Sequence, residues 1–183
     1  EGFKRAKPTA VHRAIVELEK AGKIELVITQ NVDGLHAMAG TSAAKLVELH
    51  GTNGAVECQT CRHLSEPEPH FALFQKSGKA PTCEACGGYL KPATISFGQN
   101  LRERDLQRSI QAAEQCDLVV ALGSSLSVTP AASLTLLAAE HGAPYLIINR
   151  GPTEHDTHPL LTLRLEGDVE HIFPPAVSAA LRK

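Results

Sequence analysis

At 183 residues, with 43% hydrophobic and 21% charged residues, the chain is long enough for one well-filled core and a small satellite module. A formal net charge of -2 argues against a strongly basic nucleic-acid binder and leaves no strong nucleic-acid signal. No apolar run reaches the roughly 18 residues of a membrane span, and Glu1-Gly2-Phe3-Lys4-Arg5 lacks a signal-peptide core.

Residues 7–22 carry a helix pattern, with Pro8 in the first turn and Gly22 as the C-terminal stop. Val11, Ala14, Ile15 and Leu18 form its apolar stripe, and His12 beside them reads as a buried structural group. The apolar run 24–28 predicts a buried strand. Gln30, Asn31 and Asp33 follow it, with Gly34 where the chain turns. Ligands gather beyond the carboxyl ends of strands in parallel α/β sheets, so this stretch is either a polar turn or one wall of a site. A short helix is expected over 35–39. A strand over 46–49 then ends at His50-Gly51, where the glycine frees the backbone to bend. His50 is therefore either structural or a base projecting into a cleft.

From 52 to 91 the chain changes character. Of five cysteines, four form the pairs Cys58-x-x-Cys61 and Cys83-x-x-Cys86. Each pair sets two thiolates on a tight turn, and two such turns complete a closed tetrahedral site for structural zinc. A redox-active Cys-x-x-Cys explains one pair and leaves the second a coincidence. Thiols in metal-binding pairs suit a reducing compartment, hence a cytoplasmic location, or a nuclear one if the source is eukaryotic. The spacer 65–70 reads as a loop with His63 and His70 solvated.

Residues 92–100 form an extended return to the main domain. A polar helix over 102–115 follows, with Leu106, Ile110 and Ala113 on its inner face. The apolar strand 116–122 carries Cys116, an inert core thiol, and opens into Gly123-Ser124-Ser125. Next come a buried helix over 130–142 and a strand over 145–148 ending at Asn149-Arg150-Gly151. A short alternating strand over 163–165 ends at Glu166-Gly167-Asp168, and an amphipathic segment over 169–181 is broken at Pro174-Pro175. This alternation predicts an α/β fold, a doubly wound parallel (Rossmann-like) sheet with a small inserted zinc ribbon. The expected domains are 1–51 with 92–183 for nucleotide binding, and 52–91 for zinc. Four strand ends then share one edge, a candidate nucleotide or dinucleotide crevice, although no Gly-x-Gly-x-x-Gly loop occurs.

Taken together, Thr29-Gln30-Asn31-Val32-Asp33-Gly34-Leu35-His36, Leu49-His50-Gly51, the paired cysteines, Phe97-Gly98, Gly123-Ser124-Ser125-Leu126, Ile148-Asn149 and Gly167-Asp168 resemble the sirtuins, NAD-dependent protein deacylases. The resemblance runs from Pro8 to about Leu181. It implies a deacylase, deacetylase by default, that uses NAD as co-substrate and zinc as a structural metal. Its partner is an acyl-lysine protein or peptide, and its products are nicotinamide, free lysine and acyl-ADP-ribose. The alternatives are a mono-ADP-ribosyltransferase of the same fold and a non-catalytic NAD-binding scaffold.

The same resemblance implies roles. His50 is the catalytic base, and Gln30 and Asn31 hold the nicotinamide ribose, Asn31 also taking a catalytic part. Asp33 belongs to the nicotinamide pocket. Gly123, Ser124, Ser125, Asn149, Arg150, Asp168 and Val169 bind the adenosine side. Ile95, Phe97, Gly98 and Leu126 border the peptide, which adds as an extra strand, with Phe97 walling the acyl-lysine tunnel. Gln99 stands where many sirtuins have Glu, and Ser96 where many have a bulky apolar residue. Sirtuins also carry a Gly-Ala-Gly phosphate loop upstream of the first helix here, and nothing in this chain matches it. The resemblance thus implies that the pyrophosphate-binding half of the cleft lies outside this sequence.

Overall fold

A computed structural model describes residues 6–182, so the reading of Glu1–Arg5 lies outside the described residues. In chain order the elements are α1 (Ala10–Lys20), β1 (Val27–Thr29), α2 (Leu35–Ala39), β2 (Leu46–Glu48), β3 (Gly51–Cys58), β4 (Leu64–Ser65) and α3 (Pro67–Ser77). Then come β5 (Leu90–Thr94), α4 (Glu103–Gln115), β6 (Val119–Leu122), α5 (Ser133–Glu140), β7 (Tyr145–Asn149), β8 (Leu161–Glu166) and α6 (Val169–Ala180). They form two compact units. One comprises Glu1–Ile28, Leu35–Val47 and Arg102–Lys183, the other Thr29–Gly34 and Glu48–Leu101.

The first unit is the expected α/β body. Strands β6, β7 and β8 lie side by side in parallel, with Leu122 opposite Ile148 and Ile148 opposite Leu165. Tyr145, Ile147 and Ile148 on the central strand β7 are buried, as a strand covered on both faces requires. Helices α1 and α6 close one side of the core through Ala14, Ile15, Phe173 and Val177, packed with Val27 and Ile148. A second cluster gathers Ala121, Leu126, Ala132, Tyr145 and Ile147. Helix α1 begins where Thr9 accepts the Val11 amide and His12 accepts the Thr9 amide, a reciprocal cap. His12 is therefore a half-buried capping residue, where the sequence suggested a buried core histidine.

Two expectations give way to tertiary packing or to cap chemistry. Pro174 and Pro175 do not break the last segment, since α6 runs through both. Two missing amides and ring crowding cost several kcal/mol in an isolated helix. Phe173 and Val177, one turn apart and both buried, hold the helix on the core regardless. In the second unit the spacer read as a loop is α3, starting at Pro67. Prolines fit a first turn whose N–H groups lack helical partners anyway, and Gly78 ends the helix in left-handed conformation by donating to the Phe74 carbonyl. His70, expected in solvent, is half-buried on that helix and bonds Ser65 Oγ at 2.7 Å. The strand expected over 24–28 begins only at Val27, while Ile24 still packs on the core. On α4 the buried residues are Ser109, Ala112 and Ala113, with Leu106 and Ile110 half-buried at their side.

The second unit is built on a three-stranded antiparallel sheet in the order β4-β3-β5. Among the described residues no helix is long and apolar enough to cross a membrane.

Candidate functional site

The second unit folds the Thr29–Gly34 stretch onto the strand end that bears His50. The Leu49 amide donates to the Thr29 carbonyl and the Asn53 amide to the Val32 carbonyl, each at 2.9 Å. Thr29 Oγ1 accepts the Asn31 amide at 3.1 Å, which turns the backbone sharply after the strand. Asn31 is thereby exposed, and Gln30 and Asp33 are half-buried beside it in the chain. On the other side of His50, its carbonyl accepts the Ile95 amide at 2.8 Å. The half-buried His50 thus stands next to Leu49, which is bonded to the polar turn, and is itself bonded to Ile95.

Gly51 makes that junction possible. Its φ is 76°, and a Cβ there would lie 2.1 Å from the Ala93 carbonyl oxygen and 2.9 Å from Thr94 Cα. Neither neighbour is a flexible side chain, so Gly51→Ala is expected to cost about 3 kcal/mol or more of stability. Chemical denaturation checks this, and an unchanged midpoint would contradict it. Beyond Ile95, the Lys91 ammonium donates to the Thr94 carbonyl at 2.8 Å and to Ser96 Oγ and Gln99 Oε1 at 3.2 Å each. Gln99 Oε1 also accepts the Ser96 amide at 2.8 Å. This closed turn carries Phe97 at its tip, 99% exposed.

The first unit gathers a different set. A cavity of about 230 Å³ is lined by Gly123, Asn149, Arg150, Gly167, Asp168 and Val169. These residues stand at the ends of β6, β7 and β8 and open α6, so three of the four expected strand ends meet within this unit; the fourth, Gln30-Asn31-Asp33, follows β1, which pairs with β2 in a separate sheet, and is not in the lining. Asp168 caps α6 by accepting the Glu170 amide at 2.8 Å, and it pairs with the Arg150 guanidinium. Ser124 and Ser125 stand on the adjoining loop and are not part of the lining. Ser124 Oγ accepts the Leu126 amide, and Ser125 Oγ bonds Ser127 Oγ. The Leu126 side chain is buried in the core at 5% exposure, packed with Ala121, Tyr145 and Ile147.

Sequence reading missed Arg164 and the part that Glu166 plays behind this lining. The available signal was an arginine between Leu163 and Leu165 in a strand that alternates apolar and polar residues. Asp156, which receives Arg164, lies below the usual carboxylate range. The Thr153 hydroxyl and then its amide lower it most, and Arg164 adds to them. A pKa lowered in the folded state gives stability that is complete above the unfolded value of about 3.9 and is lost as pH falls through the folded value. Asp156→Asn is therefore expected to flatten the acid limb of the stability curve below about pH 4. Melting temperatures over that range test it, and an unaltered limb would contradict it.

Cys58, Cys61, Cys83 and Cys86 form a third cluster, with all four sulfurs within 4.8 Å of one another. Sγ separations are 3.5 Å for Cys58–Cys86 and 3.7 Å for Cys61–Cys83. Four thiolates at about 2.3 Å from zinc stand about 3.8 Å apart in a tetrahedron, so the donor set fits that ion. The amide of Thr60 points at Cys58 Sγ, and a Cβ on Gly88 would sit 2.9 Å from the same sulfur. Hydrogen bonds led by the Cys61 amide lower the Cys58 thiol to about 6. The His63 amide lowers Cys61 too, but its cysteine neighbours outweigh it and push that thiol up to about 12.

The chain is similar to known proteins in sequence and in fold. A family model described as the Sir2 family matches residues 2–130. An NAD-dependent protein deacetylase of Rhodopseudomonas palustris is 43% identical over 162 residues, covering 88% of this chain and 64% of its own length. An NAD-dependent protein deacylase of Archaeoglobus fulgidus is 37% identical over 178 residues, covering 97% of this chain and 68% of its own. A solved structure of Sir2 bound to acetylated peptide superposes with a TM-score of 0.90 at 34% identity, covering 99% of this chain and 74% of that one. Another, of Sir2 with p53 peptide and NAD+, gives 0.89 at the same identity, with 99% and 73% covered. The chain spans less than two thirds of the length of the Rhodopseudomonas relative. With a matching family model over most of its length, the same fold and the zinc-type cysteine cluster, the chain belongs to the Sir2 family.

Proposed function

We propose that the protein is an NAD-dependent protein lysine deacylase, with acetyl-lysine its default substrate. The observation that carries this reading is His50, whose carbonyl accepts the Ile95 amide and whose neighbour Leu49 is bonded to the folded Thr29–Gly34 turn. Relatives that are NAD-dependent deacetylases and deacylases support it.

Bound NAD would supply a glycosidic bond whose cleavage releases nicotinamide and lets the acyl group leave the lysine. Gln30 and Asn31 hold the nicotinamide ribose with neutral amides, which orient hydroxyls without trapping positive charge at the sugar. Asp33 receives the nicotinamide amide. His50 takes a proton from a ribose hydroxyl. Gly123, Ser124, Ser125, Asn149, Arg150, Asp168 and Val169 serve the adenosine side. Ile95, Phe97, Gly98 and the Leu126 backbone border the peptide, which adds as an extended strand. Zinc in the four-cysteine site is structural, the metal module being 52–91 within a nucleotide-binding domain of 1–51 and 92–183. The enzyme works in the cytoplasm, where its thiols stay reduced.

The test is deacetylation of an acetyl-lysine peptide by the full-length protein with and without NAD. Product formation only with NAD is expected, and equal deacetylation without it would overturn the reading.

A further inference from the structure

Arg164 enters β8 opposite Ile147, and its side chain is only 19% exposed. Its guanidinium spends every nitrogen on one loop system. Nη1 donates to the Asn149 carbonyl at 3.0 Å and the Leu165 carbonyl at 2.6 Å. Nη2 donates to the Gly151 carbonyl at 2.6 Å and Glu166 Oε2 at 2.8 Å. Nε donates to Asp156 Oδ1 at 2.9 Å, and Asp156 in turn holds Thr153. The other Glu166 oxygen accepts the Gly151 amide at 2.8 Å. The Asn149–Gly151 turn is therefore gripped from behind at two carbonyls and one amide.

That grip has a chemical consequence at the cavity. Asn149 Nδ2 donates to the Gly151 carbonyl at 3.0 Å and the Arg150 carbonyl at 3.2 Å. Two carbonyls can only receive, so the amide orientation is settled and Oδ1 is left as the acceptor for a ligand hydroxyl. The Gly151 carbonyl that fixes this orientation is the one Arg164 holds. We propose that Arg164 is a positioning residue for the nucleotide, setting the Asn149 amide and the Arg150 backbone through the Gly151 and Asn149 carbonyls. The proposal rests on the deacylase reading for which ligand fills this cavity. Lysine cannot replace the arginine, since a single ammonium does not reach all five of these acceptors.

The test titrates ADP-ribose, and separately an acetyl-lysine peptide, into wild-type and Arg164→Lys full-length protein by calorimetry. ADP-ribose affinity is expected to fall about tenfold while peptide affinity holds. Unchanged ADP-ribose affinity would overturn the proposal. So would equal losses for both ligands, because a role in folding alone lowers both. Should Arg164→Lys not fold, Asp156→Asn decides by the same readout, with an expected loss of about threefold for ADP-ribose only. Wild-type protein that binds ADP-ribose but does not deacylate would remove the proposed function and leave this inference standing.

Discussion

The His50→Ala protein is expected to lose at least a hundredfold in turnover while keeping its melting temperature and its affinity for NAD and peptide, because a positioned general base contributes about 10² to 10⁴ in rate. The reason lies in how His50 is held. Its backbone is fixed by the Ile95 amide and by the Gly51 bend, not by its imidazole, so truncation removes the ring without releasing the strand end. Nicotinamide release and peptide deacylation should be followed separately. A histidine that moves a proton after the glycosidic bond breaks permits some nicotinamide release when it is lost, but no completed deacylation. Undiminished deacylation would remove His50 from the chemistry.

The second large effect concerns the metal. Chelation, or Cys83→Ser, is expected to unfold the second unit and abolish activity together. Structural zinc contributes about 10–16 kcal/mol in small domains, comparable to or larger than the whole stability of a typical domain. The unit has little else to replace it. Phe71, Leu73, Phe74 and Tyr89 are exposed, and its buried set is led by Leu49, Val56, Cys58, Cys83 and Ala93. Thr29–Gly34 and His50 belong to the same unit, so their geometry goes with it. Circular dichroism and melting before and after chelation measure this. A chelated protein with an unaltered melting curve would contradict a structural zinc.

The parts of this architecture legible in the sequence are those governed by local rules. Hydrophobic runs placed the helices other than α3 and the parallel strands, and cysteine spacing alone placed the metal cluster. The site stretch was legible because Gln30, Asn31 and Asp33 directly follow an apolar run. The misreadings arise where long-range packing or cap chemistry outweighs local preference. Pro174 and Pro175 stay helical because Phe173 and Val177 are buried on either side of them. Pro67 and Pro69 signalled a loop but occupy a helix's first turn. Arg164 escaped notice because its partners, Asn149, Gly151 and Asp156, are eight or more residues away and meet it only once β7 and β8 pair. Side-chain networks that cross between strands leave no periodic trace.

The measurement that bears most directly on the deacylase reading follows adenine-labelled NAD during turnover of an acetyl-lysine peptide by the full-length protein. The label should appear in soluble acyl-ADP-ribose, one for each lysine freed and each nicotinamide released. Label retained on the acceptor peptide or protein, with the acetyl group still on lysine, would mean ADP-ribosyl transfer and would contradict the account.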